Sequence, residues 1–223
     1  VIACNYKINK KIASEINNNF LEVILAKGFD KESLEILRSK KSLRIIDISN
    51  FKLKNLTSIK SFDRSFLVQS KDNIIIDKKK LKCVTKLKPS KKELAEIQFA
   101  FNVCKHVKSN AIVLCSNFST IGIGAGQPSR LDSCKIAINQ MKQFQNLQIS
   151  NKVVAASDAF FPFVDGIETL VQAGVSTVIK PSGSVRDKEI ITFAAHTSTV
   201  LYFSKTSHCS NTVLYICFVI NYS

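Results

Sequence analysis

The sequence contains no tryptophan, one methionine and few of the residues that break regular structure, with 7 glycines and 4 prolines among 223 residues. Such low contents exclude collagen-like chains and Gly/Ser linkers, and the absence of heptads excludes a coiled coil. No run of 18 apolar residues is present, so no transmembrane helix is predicted. The 45% of apolar residues indicate a globular chain with a buried core, in one large or two small domains.

Acidic residues and arginine are also scarce. Lys and Arg together number 32 against 17 Asp and Glu, a formal net charge of +15, and only five of the basic residues are Arg. A charge of this size suits a nucleic acid or another polyanion. Base recognition relies on Arg, however, and single-strand binding needs aromatic residues interleaved with basic ones, a pattern that is absent here. The Lys and Asn content is typical of an AT-rich coding sequence, and we expect neither a nucleic-acid nor a membrane partner.

The seven cysteines form no Cys-x-x-Cys pair. Structural zinc sites use ligands at such short spacings, so we predict no metal site. Cys104 and Cys115 lie in apolar stretches and are predicted to be small buried side chains, which fits a reducing cytoplasm. The N-terminus has neither an initiator Met nor a signal-peptide pattern, and we expect the sequence to start inside a longer reading frame.

Apolar periodicity in the first ninety residues alternates between strand and helix. Strands are predicted over 20–25 and 43–48, on either side of a helix that begins after Asp30. The chain then becomes polar and rich in Lys. Two short strands are predicted here, near 66–68 and 74–76, followed by a solvated linker near 78–90.

The signals are sharper from residue 90 onward. Ser90 and Glu93 have the spacing of a capping box, which predicts the start of a helix, and Asp165 with Glu168 repeats the pattern. The apolar run 111–115 is typical of a strand that is covered on both faces. Further helices and strands are predicted to alternate over 129–141, 153–156, 175–179, 184–196 and 199–203. This alternation indicates an α/β fold with a mostly parallel sheet.

Three glycines occupy alternate positions within residues 122–126. The spacing is Gly-x-Gly-x-Gly, not the Gly-x-Gly-x-x-Gly of dinucleotide-binding folds, and no acidic residue follows at the required distance. Because glycine has no side chain, the pattern predicts a close approach of this segment to another part of the chain or to a ligand.

Four longer strings are more specific than any single motif. They are Lys-His-Val-Lys-Ser-Asn-Ala-Ile-Val at 105–113, Ile-Gly-Ile-Gly-Ala-Gly-Gln at 121–127 with Ser129 and Arg130, Ala-Ser-Asp-Ala-Phe-Phe-Pro-Phe at 156–163 with Asp165, and Pro-Ser-Gly-Ser at 181–184 with Arg186 and Asp187. Together they closely resemble the C-terminal part of the AICAR transformylase/IMP cyclohydrolase family, the bifunctional enzymes of purine biosynthesis. The resemblance covers roughly residues 1–206.

The resemblance implies a fold of two cytidine-deaminase-like lobes. Residues 1–85 would form the end of the first lobe, 86–206 a nearly complete second lobe, and 207–223 a tail outside the family pattern. It further implies a cytoplasmic homodimer that passes a formyl group from the cosubstrate 10-formyltetrahydrofolate to the amine of AICAR (5-aminoimidazole-4-carboxamide ribonucleotide), without a metal. The family's IMP cyclohydrolase domain has no counterpart in this sequence.

The residues implied for AICAR are Asn110, Arg130, Phe160 and Glu22. Asn110 matches an active-site Asn that orients the catalytic His and the substrate, and Arg130 and Phe160 match residues that contact AICAR. Glu22 matches an acidic position near the ribose. The alternatives are an ordinary polar strand start for Asn110, a solvated helix start for Arg130 and a surface strand end for Glu22.

The residues implied for the folate are Asp165, Pro162, Phe163 and Leu131. A carboxylate at Asp165 accepts hydrogen bonds from pterin N–H groups, and its alternative is helix capping together with Glu168. Aromatic and apolar side chains stack on a flat heterocycle. Plain core packing is the alternative for Phe163, as it is for the neighbouring Phe161.

The sequence departs from the family in its catalytic pair. The family's Lys-His pair, which supplies the general base and stabilises the oxyanion, would lie upstream of residue 1. None of His106, His196 and His208 matches its position. A chain that binds nucleotide or folate without catalysing transfer is therefore the alternative function.

The other departures lie in the binding region and the tail. Val164 stands where the family usually has Arg, while Ser207 and Asn211 replace an Arg and a terminal His. The apolar run 213–220 has no family counterpart, and we interpret it as out-of-frame or intron-derived sequence.

Overall fold

The computed structural model describes residues 1–52, 58–62, 65–69, 76, 81–143, 152–207 and 216–218. The chain divides into two compact units, Val1–Leu56 and Thr57–Ser223. This division falls before the predicted boundary at residue 85, because Leu81–Cys83 forms a strand in the sheet of the second unit. The assignment of the units to lobes of the family stays a prediction.

The first unit is a small parallel α/β fold. In chain order it contains β1 (Ile2–Cys4), α1 (Lys10–Asn17), β2 (Val23–Ala26), α2 (Lys31–Arg38) and β3 (Arg44–Asp47), and the strands pair in parallel in the order β1-β2-β3. The Asp30 side chain accepts a hydrogen bond from the Ser33 N–H at 3.0 Å, which confirms the predicted start of α2.

The described residues of the second unit form two sheets. A three-stranded antiparallel sheet has the order β12-β5-β4, with β4 (Ser58–Phe62), β5 (Ser65–Gln69) and β12 (Ile216–Phe218). The strand β12 lies within the predicted tail. The other elements are β6 (Leu81–Cys83), α3 (Lys91–Cys104), β7 (Ile112–Ser116), β8 (Ser119–Gly124), α4 (Arg130–Gln143), β9 (Val153–Ser157), α5 (Asp165–Gln172), β10 (Val175–Pro181), α6 (Asp187–His196) and β11 (Val200–Ser204).

The six remaining strands form one sheet, in the order β6-β11-β10-β9-β7-β8, with helices on both faces. Ile112 and Leu114 of β7 pack in the cluster that contains α4, α5 and α6, whereas Val113 and Cys115 pack in the cluster that contains α3. The prediction of a strand buried on both faces is therefore confirmed. Within the described residues, no helix is long and apolar enough to cross a membrane.

The large sheet is mixed, which corrects the prediction of a mostly parallel sheet. The pairs β9–β10 and β10–β11 are parallel, but β7–β8, β7–β9 and β6–β11 are antiparallel. The cause is a two-residue turn at Asn117 and Phe118, both with positive φ (52° and 57°), which reverses the chain between β7 and β8. An Asn-Phe pair lacks the Gly that usually marks such a turn, so the sequence did not reveal it.

The linker predicted near 78–90 is also partly wrong. Leu81–Cys83 pairs with β11, and the Leu201 N–H donates to the Thr85 hydroxyl at 3.1 Å just beyond it. Because this strand is short and flanked by Lys residues, its few apolar positions form no recognisable strand pattern in the sequence. The predicted strand near 74–76 falls almost wholly outside the described residues.

The glycines of β8 bring this strand into direct contact with α4. A Cβ on Gly122 would lie 2.1 Å from the Ala137 carbonyl oxygen, and one on Gly124 would lie 1.8 Å from that of Ser133. Positions two apart on a strand and four apart on a helix each share a face, so both contacts belong to one interface. The predicted close backbone approach is confirmed, and the partner is a helix.

Both edges of the large sheet have features that limit pairing with a further strand. At the β8 edge, the Ile123 N–H donates to the Gln140 side-chain oxygen on α4 at 2.9 Å. At the other edge, β6 is only three residues long. Each feature reduces the number of free backbone groups along an edge.

The capping box at the start of α3 is confirmed and has a pH consequence. Glu93 Oε2 accepts from the Ser90 N–H at 2.8 Å, and Glu93 Oε1 accepts from Lys152 at 3.1 Å. Burial opposes ionisation of Glu93, but the hydrogen bonds from Ser90 and the Lys152 charge outweigh it, so the pKa of Glu93 lies below its ordinary 4.5.

Glu93 is therefore expected to stabilise the fold above pH 4.5 and to lose this contribution as the pH falls through its lowered pKa. Between pH 6 and pH 3, the free energy of unfolding measured with urea should fall by about 1 kcal/mol less in Glu93→Gln than in the parent. Glu189→Gln, at an exposed carboxylate, is the control. Equal acid sensitivity of Glu93→Gln and the parent would contradict the assignment.

Candidate functional site

The resemblance strings meet at one edge of the large sheet. Asn110 precedes β7 and residues 158–163 follow β9, and because these two strands are antiparallel the start of one lies beside the end of the other. The N-terminus of α4 completes a cleft of about 470 Å³. Its lining residues are Asn110, Pro128, Ser129, Arg130, Leu131, Ala159, Phe160, Phe161, Pro162, Phe163, Asp165 and Gly166.

Seven of the eight predicted site residues therefore line one cleft, and Asn110, Arg130 and Phe160 are among them. Glu22 is the eighth. It is exposed and is the residue immediately before β2. It belongs to the first unit, whereas the cleft is built from residues of the second unit. Its proposed contact with the ribose stays a prediction.

The Asn110 amide is fixed by three hydrogen bonds. Its Nδ2 donates to the carbonyl oxygens of Gln127 at 2.8 Å and Pro128 at 3.0 Å, and its Oδ1 accepts from Arg130 Nη2 at 2.8 Å. Two carbonyls at the nitrogen and a guanidinium at the oxygen determine which way the amide points. Asn110 therefore ties the strand start to the loop before α4 and to Arg130.

Arg130 is buried, which corrects the alternative of a solvated helix start. Its side chain is 8% exposed and is paired with Asp158, which is 1% exposed, at 2.5 Å. Its Nη1 also donates to the Ser157 hydroxyl at 2.8 Å, and its guanidinium carbon lies 5.8 Å from the centre of the Phe161 ring. One positive charge is thus held at the back of the cleft.

The three phenylalanines of the cleft differ in exposure. Phe161 is 1% exposed and packs against Gly166, where an added Cβ would lie 2.7 Å from its ring. Phe160 and Phe163 are 43% and 52% exposed, and the Arg186 guanidinium carbon lies 5.0 Å from the centre of the Phe163 ring. Core packing therefore describes Phe161, while Phe160 and Phe163 offer open aromatic surface to a ligand.

Asp165 is exposed at the start of α5, but the predicted capping role is wrong. The helix is preceded by Val164, which makes no side-chain capping bond, and Asp165 Oδ1 accepts from the N–H of its neighbour Gly166 at 2.7 Å. A carboxylate in the first turn interacts favourably with the helix dipole. Pro162 and Leu131 supply apolar lining to the same cleft.

Sequence reasoning missed two buried charges. Asp158 lies in the string 156–163 but was given no role, although an acid directly after a buried strand is a usable signal. Lys180, fully buried at the end of β10, pairs with Asp187 at 2.5 Å and lies 4.3 Å from the centre of the Phe203 ring. Burial lowers the pKa of Lys180 despite the opposing effect of Asp187.

The described residues offer neither a metal cluster nor a reactive thiol to the cleft. No group of three or more His, Cys, Asp or Glu is placed to hold a metal within the described ranges. His106 and His196 are exposed and do not line the cleft, and His208 lies outside the described residues. Cys134 lies behind Gly166, and burial raises its pKa to about 12, while burial raises the pKa of Cys104 as well.

Fold and site together define an α/β protein with a preformed cleft that presents aromatic rings, one buried guanidinium and one exposed carboxylate. The sequence profile of the AICARFT/IMPCHase bienzyme family matches residues 1–140. The chain belongs to this family.

Individual relatives agree with the family assignment. The chain is 42% identical over 216 residues to the bifunctional purine biosynthesis protein PurH of Bartonella tribocorum, 40% identical to that of Chlorobium phaeobacteroides and 38% identical to that of Aquifex aeolicus. Each alignment covers 93% of this chain, which spans about 40% of each relative.

One solved structure, protein ybgI of unknown function, aligns with a TM-score of 0.22 and 9% identity, over 93% of this chain and 72% of that one. This is too low to indicate a shared fold.

Proposed function

We propose that this chain is the C-terminal, transformylase part of a PurH-type protein, and that its cleft binds AICAR and 10-formyltetrahydrofolate. The observation that carries the proposal is that seven of the eight site residues implied by the family resemblance line one cleft in the second unit. The cytidine-deaminase-like lobes, the homodimer and the cytoplasmic location implied by the resemblance belong to the same proposal.

The chemistry of the cleft fits two flat, polar heterocycles. Phe160 and Phe163 present exposed ring faces for stacking. The buried guanidinium of Arg130 suits a carboxamide oxygen or a phosphate, and the exposed carboxylate of Asp165 suits the N–H groups of a pterin. Leu131 and Pro162 supply apolar contacts for the folate, and Glu22 would accept hydrogen bonds from ribose hydroxyls.

The reaction of the family needs a proton acceptor, and the described lining of this cleft contains no histidine to serve as one. As the amine nitrogen of AICAR bonds to the formyl carbon, the bond from that carbon to N10 of the folate breaks, and one amine proton is transferred to N10. A general base must accept that proton in passing. Among the lining residues that the structure describes, the exposed carboxylate of Asp165 is the one side chain of a type that accepts a proton, and it is assigned above to the pterin.

The alternative function is binding without transfer, and the lack of a histidine in the described lining favours it. The Asn110 amide is occupied by three partners within the protein, so it orients its neighbours and does not accept a proton. The two candidates share the ligand site and differ only in turnover.

Binding of AICAR to the 223-residue chain tests the site. Calorimetry should detect binding, and Phe160→Ala should weaken it about tenfold, because base–aromatic stacking contributes about 1–3 kcal/mol. Phe118→Ala is the matched control, since Phe118 is 48% exposed but lies in the turn at the far end of β7. Equal losses in the two variants, or salt-sensitive binding of generic DNA in place of AICAR, would contradict the proposed site.

A further inference from the structure

Asp158 is a buried acid that the proposed ligand contacts do not use. It directly follows β9, is 1% exposed, and does not line the cleft itself. Its Oδ1 accepts two hydrogen bonds, from Arg130 Nη1 at 2.5 Å and from the Ala111 N–H at 3.1 Å. Its Oδ2 is buried and accepts no hydrogen bond from the described part of the chain.

Both donors to Asp158 are linked to polar residues of the cleft, because one belongs to Arg130 and the other to the neighbour of Asn110. Ala111 is the residue after Asn110, so this bond fixes the backbone from which the Asn110 side chain extends. Arg130 Nη1 is held by Asp158 and Ser157, which leaves Nη2 directed at Asn110 Oδ1. One carboxylate oxygen thus determines the placement of both groups.

The charge of Asp158 matters as much as its hydrogen bonds. A buried guanidinium needs a buried partner of opposite charge, and removing that partner leaves an uncompensated charge that moves toward water. The nearest open space to Arg130 is the cleft that it lines. Without Asp158, Arg130 would turn into the cleft and release Asn110 Oδ1.

We propose that Asp158 is a positioning residue, which holds Arg130 and Asn110 in the arrangement that the ligand meets, without touching the ligand. The ligand part of this inference rests on the proposed function. The positioning part concerns only the protein and can be tested in the absence of any ligand.

The test uses the complete 223-residue chain and the variants Asp158→Asn and Ser157→Ala. Asp158→Asn keeps the shape but removes the charge, and its amide would place an N–H group beside Arg130 or at the unpartnered Oδ2 position. Ser157→Ala is the matched control, because it removes another acceptor of the same Nη1 group without removing a charge.

The first measurement is hydrogen exchange of the Asn110 side-chain amide by NMR. In the parent chain its protons should exchange at least tenfold more slowly than those of the exposed Asn139. Asp158→Asn should abolish this protection while Ser157→Ala keeps it. Retained protection in a folded Asp158→Asn chain would overturn the positioning role.

The second measurement is calorimetric titration with AICAR. Asp158→Asn should weaken binding at least tenfold and Ser157→Ala less than threefold. If the parent binds AICAR and Asp158→Asn binds it equally well, the ligand part of the inference is wrong. If the parent does not bind AICAR, the proposed function fails, and the exchange measurement still decides the positioning role.

Two further measurements apply if Asp158→Asn does not fold. Asp158→Glu keeps the charge and shifts it by one methylene, and it should reduce Asn110 protection at least threefold. In the parent chain itself, NMR should show slow rotation of the Arg130 Nη groups. Fast rotation there would overturn the inference without any variant.

Discussion

Incubation of the purified chain with AICAR and 10-formyltetrahydrofolate is expected to produce no tetrahydrofolate above the protein-free background. The amine of AICAR is delocalised into its ring and must lose a proton as it attacks the formyl carbon. The described lining of the cleft holds no histidine, and Arg130 is a permanent cation paired with Asp158. Loss of a general base alone lowers a rate by about 10²–10⁴-fold.

Binding and turnover must be measured on the same preparation. A sample that binds AICAR but releases no tetrahydrofolate would support the expectation, since the ligand site is then intact. Turnover that disappears in Asn110→Ala would contradict it and would require that another group, such as the Asp165 carboxylate, accepts the proton. The absorbance change of the folate on deformylation provides the readout.

Replacement of Gly124 by Ala is expected to be the most damaging small substitution in the second unit. The new Cβ would lie 1.8 Å from the Ser133 carbonyl oxygen, a backbone atom of α4 that no rotamer change can remove. Separating α4 from β8 breaks the packing of Cys134, Ala137 and Ile138 on the sheet. Overpacking of this kind costs about 3 kcal/mol or more, a fall in melting temperature of roughly 6–12 °C.

Gly174→Ala is the control for the backbone part of this effect. Gly174 has a φ of 91° and no atom within 4 Å of an added Cβ, so its substitution strains the backbone without a clash. It should cost about 1–2 kcal/mol. Thermal denaturation of the two variants separates the cost of the steric clash from the cost of backbone strain. A Gly124→Ala chain as stable as Gly174→Ala would show that α4 does not pack on β8 as described.

Local signals predicted much of the fold. The Asp30 cap, the Ser90–Glu93 capping box and the run 111–115 each depend on neighbouring residues, and each is found in the structure. The antiparallel direction of β7 was not predictable in the same way, because it depends on an Asn-Phe turn in which Phe118 takes a positive φ that Phe rarely adopts.

The site was predictable as far as family strings mark it. The resemblance to those strings was enough to name six residues that meet in the cleft, namely Asn110, Arg130, Phe160, Pro162, Phe163 and Asp165. The partner of Arg130 could not be named, because Asp158 lies 28 residues away along the chain and the two side chains meet only through tertiary contacts. Sequence patterns indicate which residues are present, whereas the charge pairing behind them depends on tertiary contacts.

The bond between Ile123 and Gln140 has a consequence for assembly. At that edge of the large sheet, a side chain already occupies an outward backbone donor, and at the opposite edge β6 offers three residues to an incoming chain. Strand addition needs a long row of free donors and acceptors, and within the described residues both features shorten that row. If copies of the chain associate through this layer, we therefore expect them to meet through helix and loop surfaces, where side-chain complementarity selects the partner.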